Sequence, residues 1–227
     1  MLEDGRPEVK MTSPKQPRTY QLKRRAERQA ETRLRITEAT MALHESVGPA
    51  HTTVSEVARL AGVQRATVYN HFPDDRSLFA ACSAHWVGQH PRPDPAACAG
   101  IPDPAERTAC ALAGLYGWYE ANRRMLTHVV RDAELLPPLR SVLAEGLDGY
   151  LAAYGALLMR DRRARGERQR RLAAGIDLAV QFTTWRRLSE RGLSPVEASG
   201  LMAEMIEAAG AAGRARGRAA VRQRDHG

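Results

Sequence analysis

From about Glu27 onward apolar residues recur at helical spacing, and nowhere does the chain show the strict alternation of a strand. Ile36, Ala39, Leu43 and Val47 predict a first helix from about Glu27 to Ser46, ended by Gly48-Pro49. Val54, Val57, Ala58 and Ala61 form a short second stripe behind Thr53-Val54-Ser55-Glu56, a capping box in which threonine and glutamate satisfy each other's backbone N–H groups. Gly62 supplies the left-handed turn, Val63 plugs the corner, and a third helix over Arg65 to His71 buries Val68 and then Phe72 before Pro73 stops it. Asp74 caps a fourth helix, to about Val87, that carries Leu78, Phe79, Cys82 and Trp86. Five prolines between Pro91 and Pro104 mark a stiff loop. Beyond it the pattern predicts helices over 104–121, 123–133, 137–160, 167–191 and 195–213, the last opened by the capping box Ser194-Pro195-Val196-Glu197. The expected fold is all-α, about nine helices: an N-terminal three-helix helix-turn-helix domain followed by a larger helical domain.

The stretch Arg65-Ala-Thr-Val-Tyr-Asn-His-Phe72 carries a family resemblance. With the long amphipathic helix before it and the helical region after it, the segment from Gln29 to Trp86 resembles the DNA-binding domain of the tetracycline-repressor (TetR) family of bacterial regulators. Chemistry divides the candidate DNA contacts. Arg65 and Thr67 suit base edges, because guanidinium bonds guanine bidentately and threonine joins a hydroxyl to a methyl. Gln64 either caps the third helix or reaches adenine, Asn70 is a further reader or an exposed side chain, and Ala66 leaves room for close approach. The resemblance implies that Tyr69 and His71 bond phosphates and fix register; packing against the first helix and a hydrogen bond at the core edge are their alternatives. Thr52 and Thr53 lie at the positive end of the second helix, where N–H groups favour phosphate. Arg33, beside Thr32 early in the first helix, is a further phosphate candidate. The family commonly places a lysine where this chain has Asp75, and the expectation is that Arg76 substitutes for it.

Charge agrees with a polyanionic partner: 227 residues carry a formal net charge of +8. Residues 1–28 read as a disordered basic arm, 29–88 as the helix-turn-helix domain with its connector helix at 74–87, 89–103 as the proline-rich loop, 104–213 as the helical domain and 214–227 as a disordered basic tail. Cys82, Cys98 and Cys110 are too far apart for a CxxC pair and read as free thiols. No metal and no cofactor are expected. Neither a membrane-spanning run nor a signal peptide is visible, so the protein is expected in the cytoplasm, on the nucleoid when bound.

The last two long helices carry Leu172, Ile176 and Ala179, and Leu201, Met202, Met205, Ile206 and Ala209. By resemblance these form a two-fold four-helix dimer interface; completion of the monomer core is the alternative. Trp86, Tyr116, Tyr119, Met125, His128, Tyr150, Tyr154, Phe182 and Trp185 are the candidates for a mostly apolar effector pocket, with His128 and Asp132 one turn apart as a polar pair. No nucleophile has a paired base and no glycine loop cradles phosphate, so an enzyme is not expected. The function expected is a dimeric repressor released from a near-palindromic operator of double-stranded DNA by a small molecule. The alternatives are a mainly nonspecific, ligand-independent DNA-binding protein and a regulator that needs a corepressor.

Overall fold

The computed structural model describes residues 18–224, with side chains from Tyr20 to Ala211. The described chain folds into α1 (Arg18–Ser46), α2 (Val54–Ala61), α3 (Arg65–His71), α4 (Asp75–Gln89), α5 (Pro104–Ala121), α6 (Arg123–Asp132), α7 (Pro137–Met159), α8 (Gly166–Ala179), α9 (Phe182–Ser189) and α10 (Pro195–Arg224). Short 3₁₀ turns stand at Pro49–His51 and Pro95–Cys98.

Local chemistry sets most of the helix starts. At α2 the Thr53 hydroxyl accepts the Glu56 N–H at 3.2 Å, and the Glu56 carboxylate accepts the Thr53 N–H at 3.1 Å. Gly62 then leaves the helix at φ 65°, the left-handed turn only glycine adopts at little cost. Asp74 accepts the Ser77 N–H at 2.7 Å and so starts α4, while Asp103 accepts two N–H groups in front of Pro104 to start α5. The Ser194–Glu197 box does the same for α10.

Three apolar clusters hold the helices together. Ile36, Val57, Val68 and Phe72 centre the reading head formed by α1 to α3. A larger cluster built on Leu112, Tyr116, Tyr119, Leu158, Leu172, Trp185 and Ile206 fills the helical domain. Between them Phe79 of α4 packs with Ala133, Leu139 and Val142, so the connector helix is shared by both halves. At this seam α6 closes directly on the turn after α1. Gly48 has φ 98°, and a Cβ there would lie 2.6 Å from both the Arg131 guanidinium and the Asp132 carboxylate. Asp132 is fully buried and accepts the Ala50 N–H at 2.9 Å and the Arg131 Nε–H at 2.6 Å. Burial alone would raise its pKa, but the Arg131 guanidinium and the Ala50 N–H outweigh it and hold the carboxyl below its ordinary value.

The structure corrects four expectations. First, α1 begins at Arg18, so residues 18–28 of the expected disordered arm are helix; residues 1–17 lie outside the described residues. From Gln21 to Glu31 every residue is a good or fair helix former, with no glycine or proline. Second, the helix expected over 167–191 breaks at Val180-Gln181 into α8 and α9, which raises the described count to ten. Neither glycine nor proline marks that break. Instead Tyr116 donates its hydroxyl to the Ala179 carbonyl and Tyr119 to the Val180 carbonyl, both at 2.6 Å, supplying donors where the helix stops. Third, α10 runs to Arg224, past the expected end at 213 and through most of the expected disordered tail; residues 225–227 lie outside the described residues. Its alanine-rich and arginine-rich sequence outweighs the cost of Gly213 and Gly217. Fourth, Cys98 and Cys110 are joined as a disulfide, because the 3₁₀ turn at Pro95 folds the loop back on α5 and brings the two Cα atoms to 6.2 Å. Cys82 is free and buried.

Candidate nucleic-acid interface

The recognition helix α3 buries one face and offers the other. Val68 and Phe72 are sunk in the reading-head core. Gln64, Arg65, Ala66 and Asn70 are exposed, Tyr69 is 50% exposed, and Thr67 and His71 are half-buried. Seven residues in two turns cannot make a stable helix alone, so the packing of Val68 and Phe72 positions the other side chains.

Arg33 fastens the far end. Its guanidinium lies 4.0 Å from the Phe72 ring centroid and donates to the His71 carbonyl at 2.5 Å, tying α1 to the last turn of α3. Arg33, Thr67, Asn70 and His71 then line one polar groove of about 470 Å³ with Gln29 and Ala30. The last two residues were absent from the sequence-derived set, although Gln29 stands one turn before Arg33 on the same helical face. The groove is lined by donors suited to a phosphate oxygen.

Other candidates are held differently. The Thr52 hydroxyl donates to the Gly48 carbonyl at 2.9 Å, and that of Thr53 is engaged by Glu56, so neither side chain is free to bond a phosphate without rearrangement. Arg76 pairs with Glu145 of α7 at 2.6 Å and bridges connector and helical domain. Arg76 sits one residue inside α4, on the side that faces α7. Lys23, Arg24, Arg25 and Arg28 are exposed on the first turns of α1, and no residue between Tyr20 and Glu31 is buried.

Residues 36–82 match the family model of the bacterial regulatory proteins, tetR family. The reading head is thus similar to the DNA-binding domain of that family. The likeness to solved structures extends beyond the reading head. NalD of Pseudomonas aeruginosa, the secondary repressor of the MexAB-OprM multidrug efflux pump, is 25% identical over 81% of this chain and 97% of its own, with a TM-score of 0.55. A tetR-family transcriptional regulator from Streptomyces coelicolor is 17% identical over 82% and 83% of the two chains, with a TM-score of 0.57. A transcriptional regulator from Rhodococcus sp. Rha1 is 22% identical over 77% and 95%, with a TM-score of 0.51. No curated protein matches the chain.

The aromatic candidates for a pocket are held in different places. Tyr116, Tyr119, Tyr154, Phe182 and Trp185 are packed in the helical core, where burial raises the pKa of all three tyrosines. Tyr150 donates to the Pro93 carbonyl at 2.9 Å and anchors the proline-rich loop. His128 and Asp132 do not pair with each other; both turn to the reading head. The His128 ring approaches the His44 carbonyl at 3.1 Å, and since a carbonyl only accepts, Nδ1 carries the proton. Trp86 and Met125 line a common cavity at the seam. A separate open groove of about 390 Å³ between α7 and α8 is lined by Asp148, Leu151, Met159, Ile176, Asp177 and Gln181, among others.

The candidate dimer residues divide as well. Leu172, Ile176, Ala179, Met202 and Ile206 are buried within the protomer, where α8 and α10 close on α5. Hence they complete the core, as the alternative reading had it. Leu201 and Met205 face outward, Ala209 is half-buried, and Leu178 of α8, absent from the sequence-derived set, is exposed. Among the described residues no His, Cys, Asp or Glu cluster could hold a metal ion, and no helix is long and apolar enough to cross a membrane.

Proposed function

We propose that the protein is a dimeric repressor in the cytoplasm that places two copies of α3 in successive major grooves of a near-palindromic operator, about 34 Å apart. The observation that carries this reading is the division of α3 itself. Val68 and Phe72 lock the helix while Arg65, Ala66, Tyr69 and Asn70 stand free to meet a groove. Arg65 and Thr67 read base edges; Tyr69, His71 and the groove shared with Arg33 fix the backbone. Gln64 at the helix start and Asn70 add readers, and Thr52 and Thr53 contribute through the α2 N-terminus.

Dimerisation is supported by the apolar residues left outside the protomer core. Leu178 on α8 and Leu201 and Met205 on α10 are 53%, 37% and 51% exposed on the outer faces of the two helices that pack together. A second copy would cover them. The likeness to NalD, itself described as a repressor, supports the sign of regulation. A small effector in the helical half would favour a state in which α4 shifts and the heads lose the groove spacing; a preference of about 10³ to 10⁴ for that state empties the operator.

The test is to capture genomic fragments on the purified full-length protein at physiological salt and sequence them. Sharp recovery of an inverted repeat, bound two chains per site, is the expected result. Flat recovery in proportion to fragment length would replace this reading with nonspecific binding or with a regulator that requires a corepressor.

A further inference from the structure

The first turns of α1 are not explained by packing. Every side chain from Tyr20 to Glu31 is exposed, and Ile36 is the first residue of the helix to be buried among those described. From Tyr20 to Arg28 the segment carries four cations, Lys23, Arg24, Arg25 and Arg28, against one acid, Glu27. Because this segment continues the packed part of α1 without a break, its charges keep fixed positions before any partner arrives, and little ordering is left to be done on binding.

Where the cations point follows from the helix. Gln29, Ala30 and Arg33 share the polar groove with Thr67, Asn70 and His71 of α3, so this side of α1 opens beside the recognition residues. At about 100° per residue, Leu22 and Ala26 lie within about 20° of Arg33 around the axis and carry its line back towards the helix start. Lys23 and Arg25 stand about 80° to either side of that line and straddle it. Arg24 and Arg28 fall about 180° and 140° away, on the back of the helix. There the Arg24 guanidinium lies 5.8 Å from the Tyr20 ring, and the Arg28 Nε–H donates to the Arg24 carbonyl at 3.3 Å. A rise of about 12 to 15 Å separates Lys23 and Arg25 from Arg33, several phosphate spacings along a duplex.

We propose that the first turns of α1 form a second contact with the DNA backbone, in which Lys23 and Arg25 straddle a phosphate strand outside the segment that α3 reads, while Arg24 and Arg28 face solvent. The occupant is the phosphate backbone because the face offers cations, lacks the side chains that read base edges and runs on from the groove beside α3. The inference rests on the reading of α3 as the recognition helix and adds contacts that carry no sequence preference.

The test compares two double variants of the full-length protein that lose the same charge: Lys23→Gln with Arg25→Gln, and Arg24→Gln with Arg28→Gln. Glutamine is a good helix former, and circular dichroism with thermal melting checks that both fold. Binding to a duplex carrying the recovered operator is followed from about 50 to 200 mM salt. Each phosphate contact adds about 0.9 to the slope of log K against log salt, so the first variant should lose about 1.8 of slope and about tenfold or more in affinity at physiological salt. The second should lose less than about 0.5 of slope. Equal losses in the two variants would reveal a diffuse field around the helix and overturn the contact, as would an unchanged slope in the first. An unchanged slope together with a weakened dimer in sedimentation would give this face to a second copy of the chain instead. Since phosphates are met on any sequence, the same pair of variants on a random-sequence duplex decides the contact where no operator is recovered, and that failure would count against the repressor reading alone.

Discussion

The reading head and the helical domain use aromatic side chains in opposite ways. In the head Tyr69 stands half in solvent on a helix whose inner face carries the packing, and its hydroxyl is available to a partner. In the helical domain Tyr116 and Tyr119 are sunk in the core, their hydroxyls closing the broken end of α8. An aromatic residue beside a helix terminus can thus serve recognition or architecture, and only exposure separates the two. The lesson for the effector is direct: a count of aromatics in the helical half overstates the pocket, since most are already engaged.

The strongest test of this contrast removes an anchor from the head. Phe72→Ala should destabilise the protein by about 3–5 kcal/mol, because it empties the small core and strips Arg33 of its stacking partner. Urea unfolding should show that loss, with DNA binding abolished. Reduction of Cys98–Cys110 should act on the other half only. The bond closes a 12-residue separation, so its loss should cost about 3 kcal/mol in denaturant melts while the isolated affinity for DNA changes little. Equal effects of reduction on both readouts would show that loop and head are coupled.

Acid probes the seam. Unfolded His44 takes up a proton below about pH 6.5, whereas in the folded protein burial defers protonation to about 4 despite the nearby Asp132. Its contribution is complete above pH 6.5 and falls away as pH drops toward 4, a loss of about 3 kcal/mol. Unfolding at pH 7.5 and 4.5 should show this steepness, and His44→Leu should flatten it. Next in size comes a paired substitution. Arg65→Ala should weaken operator binding by about 1–3 kcal/mol with unchanged melting, while Tyr116→Phe should lower stability by about 1 kcal/mol with unchanged DNA affinity. If either variant moved both readouts, the division between recognition and architecture would fail. Smallest is Arg76→Ala: a pair 51% and 60% exposed on its two sides should be worth less than about 1 kcal/mol.

How much of this was legible in the sequence follows the same division. The starts of α2, α4, α5 and α10 were readable because each has its own local chemistry: Thr53 with Glu56, Asp74, Asp103 before Pro104, and Ser194 with Glu197. The third helix was readable through Gly62, Val68, Phe72 and Pro73. What stayed hidden depends on residues distant in the chain. The break after Ala179 is closed by tyrosines some sixty positions earlier, at separations of 63 and 61. Arg76 meets a glutamate 69 residues on, and the seam cavity is assembled from four helices. Periodicity reports a helix's buried face but not which neighbour covers it, hence five of the eight dimer candidates proved to be protomer core.

The length of α1 has a consequence of its own. One uninterrupted helix of 29 residues joins the exposed cations at Lys23 to Arg28 with His44 at the seam. About 30 Å of rise separates Lys23 from His44. Such a rod is a lever: a tilt of about 5° at its seam end would sweep the cationic end through about 3 Å, as far as a hydrogen bond is long. An adjustment at Gly48 too slight to disturb the core would then be felt as phosphate contacts made or lost at the other tip.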